Sequence, residues 1–496
     1  MAVPPTSLHF VMFPLMAQGH LVPMVDIARI LAQRGATVTI ITTPHDANRV
    51  RPVISRAIEA KLKIQLLELQ LRVAEAGLPE GCENFDKLPS FEYRRELAAA
   101  MDMLEQPAED LLRTLCQPPD CIISDLLFPW TTDVALRLNI PRLVFHGPGC
   151  FYLLCLHVAF SSNILGEIES DTDRVVLPGL PDRVEVTKPQ ITGTSKAISE
   201  DDMESWVRFA EAEKAAYGIV VHTFEELEPE YVKEYTKVKN KKIWCIGPVS
   251  LCNKEGQDIA ERGNKAAIND HNCLKWLDER EPGSVLYVCL GSLARVSTAQ
   301  AIELGLGLES LNRPFIWCVR NKTKELETWF LEQGFEDRVR NRGLIIHGWA
   351  PQVLILSHRA IGGFLTHCGW NSTLEAICAG VSVVTWPFFA DQFLNEVLIV
   401  EILKIGVRIG VEVVVAFGEE DKVGVLVKKE DVKRAVECLM EEKEDIEQRR
   451  RRVKELAKMA KIAMEEGGSS YENVSSLIRD VTETVRIERK KPLIDQ

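Results

Sequence analysis

From Leu8 onward, short β-rich runs alternate with segments of helical period: LHFVMFP, a helix ending near Gln33, TVTIIT, a second helix, then KIQLLEL. The series continues with CIIS at 121–124, a helix after Pro129, RLVF, a helix after Gly149, GIVVH, a helix over 226–235, and KIWCIG. Strands alternating with helices predict a parallel sheet covered on both faces. After Gly247 and Pro248 the period lapses into LCNKEGQDIAERGNKAA, a polar stretch that reads as an interdomain linker. The alternation then restarts with SVLYVCL, a helix after Thr298, PFIWCV, GLIIHG, AIGGFLTH, a helix from Asn371, and VSVVTWP. The fold class is therefore α/β, with two Rossmann-like, doubly wound domains facing a central cleft at their strand C-termini. The predicted bounds are 1–249 for the first domain, 250–269 for the linker and 270–468 for the second. A last helix over about 469–486, with Ser469 or Ser470 as N-cap, packs back on the first domain.

Length agrees with this division, since 496 residues exceed the roughly 250–300 that one hydrophobic core can organise. The net charge of -13 opposes nucleic acid or an anionic membrane as partner, so an anionic ligand must be held by local donors. No secretory signal is read at the N-terminus, and the apolar stretch 143–160 is broken by His146, Gly147, Pro148 and His157, so no membrane span is expected. Thirteen scattered cysteines, with no Cys-x-x-Cys pair, fit reduced thiols in a cytoplasmic protein, taken here as a monomer. Cys368 lies inside the strongest motif and reads as a packing residue.

The informative stretch is 349–392, WAPQVLILSHRAIGGFLTHCGWNSTLEAICAGVSVVTWPFFADQ. FLTH reads as a strand ending at His367, CGW as a tight loop, and NSTLEAICA as a helix. The free N–H groups and dipole at that helix start favour a diphosphate, with His367, Asn371 and Ser372 adding side-chain donors. Glu375 follows Asn371 by one turn on the same helix face, and its carboxylate suits the vicinal hydroxyls of a ribose. Trp349 offers a flat face to a base, and Asp391 with Gln392 offers clustered polar groups to a sugar ring. Taken singly, each residue also has an ordinary structural role, as core aromatic, strand-end histidine or solvated helix residue.

Taken together, this stretch closely resembles the signature box of plant secondary-metabolite UDP-glycosyltransferases, and the resemblance extends over nearly the whole chain. It implies the GT-B fold, with acceptor bound by the N-terminal domain and UDP-sugar by the C-terminal one. It further implies that Trp349 stacks on uracil, that Ala350 binds its edge through the backbone, and that Gln352 and Glu375 contact ribose. His367, Asn371 and Ser372 would hold the diphosphate, assisted by Ser292 of YVCLGS, and Trp370, Asp391 and Gln392 would hold the sugar. A glutamine at the last position of the box generally accompanies glucose, so Gln392 points to UDP-glucose as donor substrate. Two positions depart from the family pattern: Pro148 stands where many relatives carry a hydroxyl residue near the sugar, and Leu290 where an aromatic is usual.

Transfer to a hydroxyl needs a base at the moment of attack, and histidine titrates near the working pH. In PLMAQGHLVPMVDIA the first strand ends, Gly19 allows close approach of the backbone to the donor, and His20 opens a helix with Pro23 in its first turn. A lone histidine at a helix start is more often a packing residue, so the assignment needs a partner. Asp125 of IISDLLFPW, also at a strand end, can accept the Nδ1 proton and fix the ring. Both motifs resemble the family's catalytic pair. No metal or cofactor is expected: the leaving diphosphate meets the donors around His367 in a direct, inverting displacement.

Met16, Phe128, Cys150, Phe151 and Phe389 are the expected acceptor-pocket residues, with the segments 77–92 and 178–198 completing the wall. Their apolar character suits a triterpenoid or flavonoid, with plant hormones or another UDP-sugar as alternatives. A nicotinamide dehydrogenase would share the doubly wound halves, but the nearest glycine fingerprint, GLGLES at 305–310, lacks its last glycine and lies within a helix. An epimerase or non-catalytic UDP-sugar binder would not require the pairing of His20 with Asp125.

Overall fold

The computed structural model describes residues 7–162, 164–194, 199–254, 256–320, 322–441 and 444–490. Residues 1–6, part of the segment searched for a signal, and 195–198 of the expected acceptor segment lie outside them. The strands are β1 (His9–Phe13), β2 (Thr37–Thr42), β3 (Ile64–Glu68), β4 (Cys121–Asp125), β5 (Arg142–His146), β6 (Arg174–Val176), β7 (Glu185–Thr187), β8 (Gly218–Val221) and β9 (Lys242–Cys245). They continue with β10 (Val285–Cys289), β11 (Phe315–Val319), β12 (Gly343–His347), β13 (Ile361–Thr366), β14 (Val383–Thr385) and β15 (Gly406–Arg408).

The chain divides into two compact units, one of Met1–Gly149, Ile198–Asn253 and Ile462–Gln496, the other of Cys150–Ala197 and Lys254–Lys461. The first is built on a parallel sheet in the order β3-β2-β1-β4-β5-β8-β9. Its central strands are buried throughout because helices cover both faces. The helix Ser469–Lys490 sits in this unit, with Val474, Leu477, Val481 and Val485 in the core and the Ser470 hydroxyl donating to the Gly247 carbonyl at 2.5 Å.

The second unit repeats the design with the parallel order β12-β11-β10-β13-β14-β15 and carries the antiparallel hairpin of β6 and β7. Residues 150–197 thus group with the second sheet, although the predicted division places them in the first domain. Their strands are three residues long, too short for a period to reveal. The stretch read as a linker is also structured. It contains the helix Gly256–Ala260, with Asp258 and Ala260 buried, and is tied down by the pairing of Arg262 with Glu375 and by the Ala267 N–H donating to the Trp349 carbonyl. Among the described residues no helix is long and apolar enough to cross a membrane.

In each sheet the connections leave in opposite directions from one pair of neighbouring strands, β1 and β4 in the first and β10 and β13 in the second. The loops beyond these pairs are where an open α/β sheet leaves room for a ligand.

Candidate functional site

In the first unit the switch point brings His20 and Asp125 together. The helix Gln18–Gln33 begins two residues before its predicted opening at His20, so Pro23 falls in its second turn and not its first. The ring keeps its place, with the His20 N–H bonded to the Ala17 carbonyl at 3.0 Å, while Gly19 is exposed beside it. Asp125 ends β4, and its Oδ2 lies 2.6 Å from His20 Nδ1. The imidazole is 31% exposed and the carboxylate 2%. A buried carboxylate accepts, so Nδ1 carries the proton and Nε2 is left as the basic nitrogen. Oδ1 of Asp125 takes the Leu127 N–H at 3.1 Å. Behind it the buried Arg142 guanidinium donates to Ser124 Oγ, Thr132 Oγ1 and the carbonyls of Asp125 and Phe128. Burial pulls Arg142 down to about 10, although the carboxylates of Asp125, Glu213 and Asp133 oppose the shift. Gly147 lies against the imidazole: a Cβ there would sit 3.4 Å from Cε1 and 3.5 Å from Nδ1 of His20.

In the second unit the corresponding point is built around His367. β13 ends at Thr366, one residue short of the expected end, because Cys368 takes a left-handed φ of 66° and turns the chain into the helix Trp370–Ala379. The Cys368 thiol is buried, and its carbonyl accepts from Asn395 Nδ2 at 2.9 Å, which is a packing role. His367 is wedged between Gly291 and Gly369. A Cβ on Gly291 would overlap its ring, reaching Cδ2 at 2.7 Å, and one on Gly369 would overlap Nε2 and Cε1. Burial, reinforced by the positive charge of Arg320, lowers His367 to about 4. The ring is therefore a neutral donor and acceptor at ordinary pH.

The remaining residues of the box surround this point. Asn371 and Ser372 stand in the first turn of the helix, with Ser292 half-buried in the loop after β10. Gln352 Nε2 donates to Ser372 Oγ at 2.9 Å and to Glu375 Oε2 at 2.8 Å, and Gln352 Oε1 accepts from the Tyr287 hydroxyl at 3.4 Å. Trp349 is half-buried and Ala350 buried just before the helix Gln352–Leu356. Trp370 is buried. Asp391 stands at the position before the helix Gln392–Val397, makes no side-chain capping bond there, and accepts from Asn395 Nδ2 at 2.7 Å. Gln392 Oε1 accepts the N–H groups of Phe388 and Phe389 at 2.9 and 3.3 Å, which directs the amide nitrogen away from them.

Three residues escape the sequence reading. Arg320, just after β11, places its guanidinium 4.6 Å over the Trp349 ring and donates to the Gly291 carbonyl at 3.1 Å. Arg262 pairs with Glu375. The Tyr152 hydroxyl is pushed up by burial and by the Asp391 carboxylate. A cation at the end of FIWCVR was a readable signal for Arg320; nothing in its polar surroundings marked Arg262. Of the expected acceptor residues, Met16 and Phe128 are buried in the first unit, Phe128 edge-on to Trp130, and Cys150, Phe151 and Phe389 are buried in the second.

Comparison with known proteins gives a consistent result. Residues 264–445 match the family described as UDP-glucoronosyl and UDP-glucosyl transferase, and residues 6–251 match the one described as Glycosyltransferase, N-terminal domain. UDP-glycosyltransferase 73E1 of Stevia rebaudiana is 79% identical over 489 residues, 98% of this chain and 99% of that protein. UDP-glycosyltransferase 73C11 of Barbarea vulgaris is 54% identical over 483 residues, 96% of each. Among solved structures, Glycyrrhiza uralensis UGT73P12 complexed with glycyrrhetinic acid 3-O-monoglucuronide aligns with a TM-score of 0.89 at 35% identity, covering 98% of this chain and 97% of that one. Arabidopsis thaliana UGT89C1 complexed with quercetin aligns with a TM-score of 0.73 at 28% identity, covering 96% and 100%.

Proposed function

The chain belongs to the plant UDP-glycosyltransferase family, has its GT-B fold and is a glycosyltransferase, and from that premise we propose that it moves glucose from UDP-glucose to a hydroxyl of an apolar plant metabolite. The observation that carries the catalytic part is the 2.6 Å bond between a half-exposed imidazole and a buried carboxylate. His20 Nε2 takes the proton as the acceptor oxygen bonds to the anomeric carbon. The bond from that carbon to the diphosphate breaks on the opposite side, with its electron pair leaving on UDP. Asp125 stabilises the imidazolium that results, and the proton then passes to solvent.

The donor lies along the box of the second unit. Uracil stacks on Trp349, against the ring held by Arg320, with the Ala350 backbone at its edge. Gln352 and Glu375 take the ribose, and His367, Asn371, Ser372 and Ser292 with the helix start take the diphosphate. Trp370, Asp391 and the amide nitrogen of Gln392 take the glucose. The donor groups already present neutralise the leaving diphosphate, so turnover is independent of a divalent cation and chelation with EDTA leaves it unchanged.

A triterpenoid is the favoured acceptor, ahead of a flavonoid. Supporting this, Met16, Phe128, Cys150, Phe151 and Phe389 are apolar, and the Glycyrrhiza uralensis relative was solved with a triterpenoid glycoside. The test is incubation with UDP-glucose, UDP-galactose and UDP-glucuronate against triterpenoids, flavonoids and plant hormones, read by mass shift. A hexose added to a triterpenoid from UDP-glucose alone is expected. Selective use of UDP-glucuronate or exclusive turnover of hormones overturns the donor or acceptor assignment respectively.

A further inference from the structure

We propose that Arg262 is a positioning residue for the ribose end of the donor site, acting through Glu375. The inference deepens the reading of Glu375 as the ribose acceptor and rests on it. Arg262 belongs to the polar stretch whose composition suggests an open linker, yet its side chain is only 9% exposed and its Nη1 pairs with Glu375 Oε1, on a carboxylate 6% exposed. The other oxygen, Oε2, is held by Gln352 Nε2 at 2.8 Å. The carboxylate is thus fixed from two sides.

The segment carrying Arg262 is fixed as well. The helix Gly256–Ala260 packs on Gln352–Leu356, and the Ala267 N–H donates to the Trp349 carbonyl at 2.8 Å. A Cβ at Gly348 would meet Ala267 Cβ at 2.9 Å, so this close approach depends on glycine. The stretch is therefore a strap bound to the residues assigned to uracil and ribose.

A carboxylate offers about four lone-pair directions. One goes to Arg262 and one to Gln352, leaving two for a vicinal diol. Held between the Arg262 guanidinium and the Gln352 amide, the carboxylate presents both remaining sites in a fixed orientation as charge-assisted acceptors for the ribose hydroxyls. Without the guanidinium, Oε1 loses its anchor and the carboxylate can turn away from the diol.

This predicts a ribose-dependent effect, which a merely structural staple would not produce. Binding of UDP and 2′,3′-dideoxy-UDP is measured calorimetrically for the wild-type chain, Arg262→Gln, Arg262→Lys and Glu375→Gln, alongside UDP-glucose kinetics. Arg262→Gln is expected to weaken UDP about tenfold while changing dideoxy-UDP less than about twofold, and to raise KM for UDP-glucose with kcat nearly kept. Arg262→Lys should restore part of the discrimination, and it carries the test alone if Arg262→Gln does not fold. Equal weakening of both nucleotides, or unchanged discrimination in the Arg262 variants, overturns the proposal while leaving Glu375 as ribose acceptor if Glu375→Gln loses discrimination. Full discrimination in Glu375→Gln overturns the ribose reading itself and the proposal with it.

Discussion

In the first sheet, the loop after β1 and the end of β4 join an imidazole to a carboxylate, whereas in the second the loop after β10 and the end of β13 close two glycines around an imidazole. The strand order around the two switch points is the same, and a histidine stands at each. Their neighbours differ. His20 has Asp125 on Nδ1, a partner that stabilises the ring when it takes a proton. His367 is half-buried beside Arg320, and desolvation reinforced by that positive charge holds it neutral down to about 4. Topology places both rings, and desolvation together with the adjacent charge decides which can act as a base and which serves as a fixed polar contact. A leaving diphosphate benefits from partners whose state does not change with pH; an acceptor hydroxyl needs one whose state does.

The largest effect expected from breaking this contrast is on the base. His20→Ala should lower kcat by about 10²- to 10⁴-fold while leaving UDP affinity within about twofold of wild type, measured by initial rates and calorimetry. Near-full glucosylation by the variant overturns its assignment. Next in size is Gly291→Ala. The added Cβ has no room beside the His367 ring and the backbone φ is 82°, so the ring must move and UDP should bind at least about tenfold more weakly. Unchanged UDP affinity would show that the ring position is unimportant for the donor.

Gly147→Ala is the matched control on the other sheet. Its Cβ would rest at 3.4 Å from His20 Cε1, an ordinary contact, so turnover should change by less than about threefold. A loss comparable to that of His20→Ala would mean that the first site is packed as tightly around its ring as the second.

The periodicity of the chain was sufficient to read the core strands of both sheets, because buried parallel strands are short apolar runs bounded by turns. The box from 349 to 392 is legible because its residues lie in short loops and at three helix starts, at Gln352, Trp370 and Gln392, close together in sequence. Arg262 and Glu375 are 113 positions apart, and no local pattern announces their pairing. The strap around Arg262 is held by polar contacts, so hydrophobic period is silent about it. The grouping of 150–197 with the second sheet was hidden for a related reason, since chain order gives no warning when a segment crosses to another unit. Pro23 was misread by one turn because the helix starts on Gln18, with Ala17 in extended backbone and no side-chain cap to mark it.

The remaining effect, on stability and not on turnover, is the most specific to the contrast. An imidazole with an ordinary value of 6.5 in the unfolded chain and about 4 in the fold takes up its proton first in the unfolded chain as pH falls. Between those two values the unfolded state binds more protons, so stability falls with decreasing pH by up to about 1.4 kcal/mol per unit, and the dependence disappears below both. Above pH 6.5 the contribution is fully present. His367→Asn removes this titration, so the stability difference between wild type and variant should shrink as pH drops from 7 toward 4.5, measured by urea unfolding at each pH. A difference that stays constant over that range would mean the ring is not held neutral, and the distinction between the two histidines would then rest on position alone.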